Sequence, residues 1–360
     1  MKICFFVGDV SKKAGTERVT TIIANDMASK NHEVYIMSLA NSSESGFPLH
    51  ESIKVIALKN GSENNKKNFI PLVKEIRKVL KKHKFDVLIE ADVILRIFTY
   101  PASFGIKTSI ISWEHFNFKT NLGTKLRDIA RIIAAKKSKF IVTLTETDRD
   151  NYLNNLKCKA TVKAIQNPLV FYPNQFTTAS NKVVLAVGRF HYQKGFDMLV
   201  EAWEEVSKKH PDWILRIAGN GELEKQIKDK VREYGISDKV EFLGQIDRVD
   251  EQYLNSSIYV MSSRFEGFPM VLLEAMSFGL PVVSFDCETG PRDIVNDGID
   301  GILVKPNDIQ GLASSICKLI EDESLRKEMS VNAKSNIKRF SKENIIFKWD
   351  EVLNSIEKTK

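Results

Sequence analysis

Nothing in these 360 residues approaches the ~20 consecutive apolar positions that a membrane-spanning helix needs. The first apolar run, Ile3-Cys4-Phe5-Phe6-Val7, is too short for a signal peptide and is closed by Asp9. The expectation is a protein that is soluble or lies on a membrane surface. Cysteine is sparse, and Cys4, Cys158, Cys287 and Cys317 have neither metal-ligand nor redox spacing. They read as reduced thiols of a cytosolic protein, which leaves out a disulfide scaffold and a thiolate metal centre. Low-complexity tracts are missing, and 43% hydrophobic with 28% charged residues is ordinary for a globular chain. No DNA- or RNA-binding motif is recognisable and aromatics are not interleaved with the cations, so nucleic acid is not an expected partner. The three spaced glycines of a dinucleotide fingerprint are also lacking.

What the chain does have is basic charge, unevenly divided. Residues 1–173 hold 28 Lys/Arg against 16 Asp/Glu, a net +12, while the remainder is acidic at −5. An anionic partner for the first part follows. Much of the excess lies in two helical stretches, one from Lys66-Lys67 to Lys84 and one from Lys119 to Lys139. The second places Lys125, Arg127, Arg131 and Lys136 beside Leu122, Leu126, Ile129 and Ile133, expected to form an apolar face. Such helices either pack on their own sheet with a solvated basic face or dock on acidic lipid. The four cations of the second helix are the candidate acceptor- and membrane-facing residues.

Apolar strands alternate with amphipathic helices throughout, which argues for parallel sheets covered by helices. The pattern lapses around Gln166-Asn167-Pro168 through Pro173-Asn174, the expected linker, and a second series starts at Lys182. The chain therefore reads as α/β, with two doubly wound domains, 1–173 and 174–340, and a final amphipathic helix over 341–360. Ligands of such folds sit outside the carboxyl ends of the strands.

The most specific signal is a pair of glutamates eight positions apart in Arg264-Phe265-Glu266-Gly267-Phe268-Pro269-Met270-Val271-Leu272-Leu273-Glu274. Gly267 allows close backbone approach and Pro269 suits a first helical turn, so free N–H groups point at whatever Glu266 touches. A helix throughout would separate the two carboxylates by roughly 12 Å, the length of a nucleotide-sugar. Upstream, Gly188-Arg189-Phe190-His191-Tyr192-Gln193-Lys194-Gly195 lies where a strand gives way to a helix. A guanidinium fork at Arg189 and a point charge at Lys194 suit a diphosphate and the charge that develops on it as it leaves. Gly219 follows another strand and could wall a base or ribose. Gly15 opens a helix after the first strand, and His115 ends a further strand, where it could bond a sugar hydroxyl. Asp148-Arg149-Asp150 has a metal-binding form, but its neighbours make it the acidic first turn of a helix.

Together these residues resemble the retaining glycosyltransferases of family 4, which have the GT-B fold of two Rossmann-like domains facing a central cleft. The resemblance implies that the second domain binds a nucleotide-sugar and the first an acceptor. By position it gives the donor-sugar role to Glu266 and the ribose role to Glu274. Arg189 and Lys194 would bind the diphosphate with backbone from Gly267, Phe268, Pro269, Met270 and Val271, and with Gly15. His115 would meet the sugar near its anomeric carbon, and the last helix would cross back onto the first domain. The implied mechanism is front-face displacement with no divalent metal and no cofactor, the nucleotide-sugar being substrate. Phe285-Asp286-Cys287-Glu288-Thr289-Gly290-Pro291-Arg292 with Glu114-His115 is similar to a bacterial branch that extends lipid-linked glycans for capsules, O-antigens, teichoic acids or protein N-glycans, mostly from UDP-galactose, UDP-glucose or their N-acetylamino forms. It implies a cytoplasmic protein on the inner face of the plasma membrane. Many relatives have two adjacent glycines where this chain has Ala14-Gly15. Alternatives on the same fold are a GDP-mannose-type donor, a soluble acceptor or a sugar-nucleotide epimerase, and outside enzymes a membrane scaffold with a degenerate cleft.

Overall fold

The strand Lys2–Val7 (β1) is apolar from Ile3 onward and buried along that length, as a strand covered by helices on both faces must be. In the computed structural model, which describes residues 1–61, 68–121 and 123–358, β1 is central to a parallel sheet. It is followed by helix Gly15–Ser29 (α1), strands Glu33–Ser38 (β2) and Lys54–Ala57 (β3), helix Phe69–His83 (α2) and strand Val87–Glu90 (β4). Helix Arg96–Ala102 (α3), strand Ser109–Trp113 (β5), helix Lys125–Lys137 (α4), strand Phe140–Thr143 (β6), helix Glu146–Asn155 (α5) and strand Thr161–Ala164 (β7) complete it. The strand order is β3-β2-β1-β4-β5-β6-β7, so the direction of winding reverses between β1 and β4.

The second series begins with strand Val183–Val187 (β8), helix Phe196–Lys209 (α6), strand Ile214–Ala218 (β9), helix Glu224–Glu233 (α7) and strand Val240–Gly244 (β10). Helix Val249–Leu254 (α8), strand Ile258–Met261 (β11), helix Met270–Ser277 (α9), strand Val282–Phe285 (β12), helix Pro291–Ile294 (α10) and strand Gly301–Val304 (β13) follow. Helices Ile309–Glu321 (α11), Glu323–Asn336 (α12) and Lys342–Glu357 (α13) close the chain. The sheet order is β10-β9-β8-β11-β12-β13, again parallel, with its reversal between β8 and β11. Its core is built on Trp203, Leu215, Ile217, Val260 and Leu312.

The chain divides into two compact units, Met1–Pro168 with the segment from Lys342, and Leu169–Ser341. Within the expected linker, Leu169 is buried and its N–H donates to Phe340 O at 2.8 Å. Helix α13 belongs to the first unit. It buries Ile345, Ile346, Trp349, Val352 and Leu353, sets Trp349 edge-on to Trp113 at 4.8 Å, and pairs Asp350 with Lys30 at 2.6 Å. The basic stretch expected from Lys66 is helical from Phe69 and packs Leu72, Ile76 and Leu80 inward. Lys66, Lys67 and Leu122 lie outside the described residues. No helix among the described residues is long and apolar enough to cross a membrane.

Candidate functional site

In the second unit the turns after β8 and β11 meet at the reversal of the sheet, the place where open α/β sheets bind ligands. Lys194 Nζ reaches Glu266 Oε1 at 2.6 Å, with both side chains largely buried. Glu266 also accepts from Ser263 Oγ at 2.7 Å and from Gln193 Nε2 at 3.3 Å, while Thr289 Oγ1 donates to its carbonyl at 2.6 Å. The loop is braced from below by Arg264, whose fork grips Asp197 at 2.9 and 2.6 Å and whose plane lies over Tyr192. Arg189 is exposed, and among the described residues its guanidinium has no acceptor within reach.

Two glycines make this junction possible. Gly195, at φ +64°, would drive a Cβ into Ser262 O, and Gly219, at φ +136°, into Gly188 O. The first lets α6 start directly under the β11 turn, and the second lets the β9 turn lie against the β8 turn. Glu266 itself is in the loop, because α9 starts only at Met270 with Pro269 as its N-cap. The spacing of a continuous helix therefore does not apply to the glutamate pair. The N–H groups of Met270 and Val271 open α9 without intrahelical partners, as at any helix start. Phe268 is buried and turns its ring edge-on to Phe340 at 5.7 Å. Glu274 lies on α9 within 3.1 Å of Tyr253 Oη.

In the first unit His115 follows β5 and is buried, its ring tilted by 44° against Trp113 with centroids 4.3 Å apart. Its Nε2 has no hydrogen-bond partner among the described residues. Burial, with help from the Arg127 charge and against the pull of Asp92, lowers its pKa to about 4, so the imidazole is neutral at physiological pH. Around it lies a buried ionic network. Glu114 accepts from Arg131 Nε at 2.7 Å, Tyr152 Oη at 2.9 Å, Phe116 N–H at 3.2 Å and Arg127 at 3.3 Å. Burial raises the Glu114 pKa and the two guanidiniums oppose that rise. Arg127 also holds Asp92 in a fork at 2.7 and 2.9 Å. A Cβ at Gly15 would meet open space, so the start of α1 is accessible from outside.

Comparison with known proteins bears on both units. The family model for glycosyltransferase family 4 matches residues 14–169, and that for glycosyl transferases group 1 matches residues 173–336. An uncharacterized glycosyltransferase of Haemophilus influenzae is 32% identical over 353 residues, 98% of this chain and 99% of its own. The chain belongs to glycosyltransferase family 4.

A second relative of this glycosyltransferase, from Campylobacter jejuni, is 30% identical over 369 residues, covering 99% of each chain. It is named an alpha-1,4-N-acetyl-D-galactosaminyltransferase acting on a diNAcBac-PP-undecaprenol-linked glycan. Among solved structures, Anabaena HepE in complex with UDP superposes with a TM-score of 0.81 at 21% identity, over 99% of this chain and 100% of that one. The fold is therefore GT-B.

The geometry of this glycosyltransferase corrects one group of sequence expectations. Arg127 and Arg131 are buried, 3% and 2% exposed, and locked to Asp92 and Glu114, so they do not face a membrane. Their inward turn rotates Leu126 and Ile129 outward, the reverse of the expected apolar face. Lys125 and Lys136 are exposed as expected. In Asp148-Arg149-Asp150 the carboxylates diverge: Asp148 is buried and accepts from Phe118 N–H at 2.9 Å, while exposed Asp150 pairs with Arg149. The residues that meet the candidate side chains but carry no sequence signal of their own are Gln193, Ser263, Tyr253 and Asp92. Only adjacency to Lys194 and Glu266 could have drawn attention to the first two.

Proposed function

We propose that this glycosyltransferase moves a hexose or N-acetylhexosamine from a UDP-sugar to a lipid-linked oligosaccharide in bacterial cell-surface glycan synthesis, with retention of configuration. The observation that carries the reading is the Lys194–Glu266 contact at 2.6 Å at the reversal of the second sheet. It pairs a cation suited to a diphosphate with a carboxylate suited to sugar hydroxyls, and Arg189 stands exposed in the same turn. Binding would exchange partners: the diphosphate takes Lys194 and Arg189, and Glu266 accepts from the sugar. Glu274, one helix further on, is assigned to the ribose, with Gly219 walling the base side. Gly267, Phe268, Pro269, Met270 and Val271 would supply backbone to the phosphates at the start of α9.

In the proposed chemistry the bond between the anomeric carbon and the diphosphate oxygen breaks as the acceptor oxygen bonds on the same face. The acceptor proton passes to the departing phosphate oxygen, and Lys194 and Arg189 stabilise the negative charge left there. No divalent metal takes part in this scheme. His115, neutral and with a free Nε2, is assigned to a hydroxyl of the transferred sugar, for which it can donate or accept. The UDP found with Anabaena HepE supports the nucleotide, and the undecaprenol-linked acceptor of the Campylobacter relative supports the lipid carrier. A cytoplasmic site on the inner membrane face follows from such an acceptor. The test is product analysis from UDP-sugars and a polyprenyl-diphosphate glycan, with the new linkage assigned by NMR. An alpha linkage from an alpha donor is expected. A beta linkage would overturn retention, and C4 inversion of the donor without acceptor would make the protein an epimerase.

A further inference from the structure

Helix α4 is turned in an unusual way. Its inward positions are Arg127, Ala130, Arg131, Ala134 and Ala135, because Glu114 and Asp92 require the guanidiniums and the alanines let the helix approach closely. The aliphatic residues are left outside. Leu126 is 40% exposed, Ile129 47% and Ile132 41%. Lys125, Ile129, Ile132 and Lys136 recur at helical spacing along one stripe, with Lys137 beside it, so a row of large apolar side chains runs between exposed cations.

The neighbouring element carries exposed aromatic residues of its own. Helix α3 packs against both α4 and α2 and exposes Tyr100, and Phe104 just beyond it is 79% exposed. Phe104 is not loosely held, since Arg77 of α2 donates to its carbonyl at 2.7 Å and to Ala102 O at 3.0 Å. Acids on these three helices are few and already engaged. Glu75 caps the N–H groups of Lys59 and Asn60 at 2.9 and 3.0 Å, and Asp128 lies against Asn121 and Arg131. Lys74, Lys78, Lys81 and Lys82 of α2 all face outward. Large exposed apolar side chains rimmed by one sign of charge mark an interaction surface. Apolar chains at the centre, lysines at the rim and engaged acids are complementary to an anionic interface with acyl chains beneath it.

We propose that the α3–α4 face of the first unit docks on an anionic phospholipid surface, with Leu126, Ile129, Ile132 and Phe104 entering the headgroup layer and Lys125, Lys136 and Lys137 pairing with lipid phosphates. The proposal rests on the lipid-linked acceptor reading for its purpose but not for its geometry. It replaces docking through arginines with docking through aliphatic side chains.

The experiment is co-sedimentation of the full chain with phosphatidylcholine–phosphatidylglycerol vesicles and with phosphatidylcholine alone. Wild type should partition to the mixed vesicles, and Leu126→Ser/Ile129→Ser/Ile132→Ser should lower that partitioning about tenfold or more while keeping the wild-type melting temperature. These side chains are outside the core, and Ile129→Trp gives an independent readout if the triple variant melts early. Its added emission should shift to the blue with mixed vesicles. Absence of that shift, or triple-variant binding equal to wild type, would overturn the proposal. So would a wild-type dimer that the triple variant abolishes while neither binds vesicles, since the patch would then be covered by a second copy. Vesicle binding by a chain that ignores UDP would leave the docking face standing and remove the donor reading instead.

Discussion

The two units handle charge in opposite ways. In the first, Glu114, Arg131, Arg127 and Asp92 are paired among themselves, with Tyr152 and backbone groups taking further bonds, and Arg127 and Arg131 are almost wholly inside. In the second, Arg189 is exposed, and among the described residues it has no acceptor and Lys194 has one carboxylate partner, at the end of a loop. A network closed on itself resists change and gains nothing from a ligand. A single contact at a sheet reversal can be exchanged for a ligand's charges at little loss. The first arrangement lies beside a neutral histidine, and the second is the one proposed to bind and release a diphosphate.

The comparison breaks most visibly at Arg131. Arg131→Met strands Glu114 in the interior and should destabilise the first unit by about 3–5 kcal/mol. Denaturant melts with and without nucleotide should show the lost stability together with an intact nucleotide response; an Arg131→Met protein as stable as wild type would show the network to be dispensable.

His115 sharpens the same point through pH. Its folded pKa of about 4 lies below the usual 6.5, so between those values the unfolded chain binds the proton that the folded one refuses. Its contribution therefore rises with pH across that window, by up to about 3 kcal/mol, and is flat above it. Asp148, raised by burial to about 6, acts in the opposite sense between 3.8 and 6 and masks part of the slope in wild type. The stability difference between wild type and His115→Gln isolates the histidine. It should grow in wild type's favour from pH 4 to 6.5, and a pH-independent difference would place the imidazole in contact with water or acid.

In the second unit the expected effects are kinetic. Lys194→Ala should slow turnover about 100-fold, equivalent to about 2.7 kcal/mol of barrier, with a smaller change in melting temperature than Arg131→Met. Turnover at the wild-type rate would remove the lysine from the reaction. The smallest effect is expected at Glu274→Ala, about tenfold in donor KM with kcat nearly unchanged, as for an interaction equal in ground and transition states.

The sequence made the interior of each sheet legible and its margins obscure. β1, β6, β8 and β11 are continuous apolar runs because helices cover both faces. Strands β3, β7 and β13 all lie at sheet edges, and β3 and β7 are exposed at one end and half-buried along the rest. Such strands lack the continuous run that marks a buried one. Glu266, Lys194 and Gly195 could be found because loop chemistry at the reversal needs local sequence: a glycine, a cation and a carboxylate at short spacing. The orientation of α4 could not, because its inward face is chosen by Glu114 on another element, and periodicity alone turns Leu and Ile inward. Arginine at helical spacing reads as surface until its buried partner is known.

The most direct test of the central claim is thermal unfolding in EDTA with saturating UDP, GDP or ADP. At a hundred times its Kd a ligand stabilises by about 2.7 kcal/mol, enough to raise the transition of the second unit by several degrees. A rise with UDP, lost in Lys194→Ala, is the predicted result. A rise with GDP alone would contradict the uridine donor, and no rise with any of the three would contradict a diphosphate site at Lys194 and Glu266.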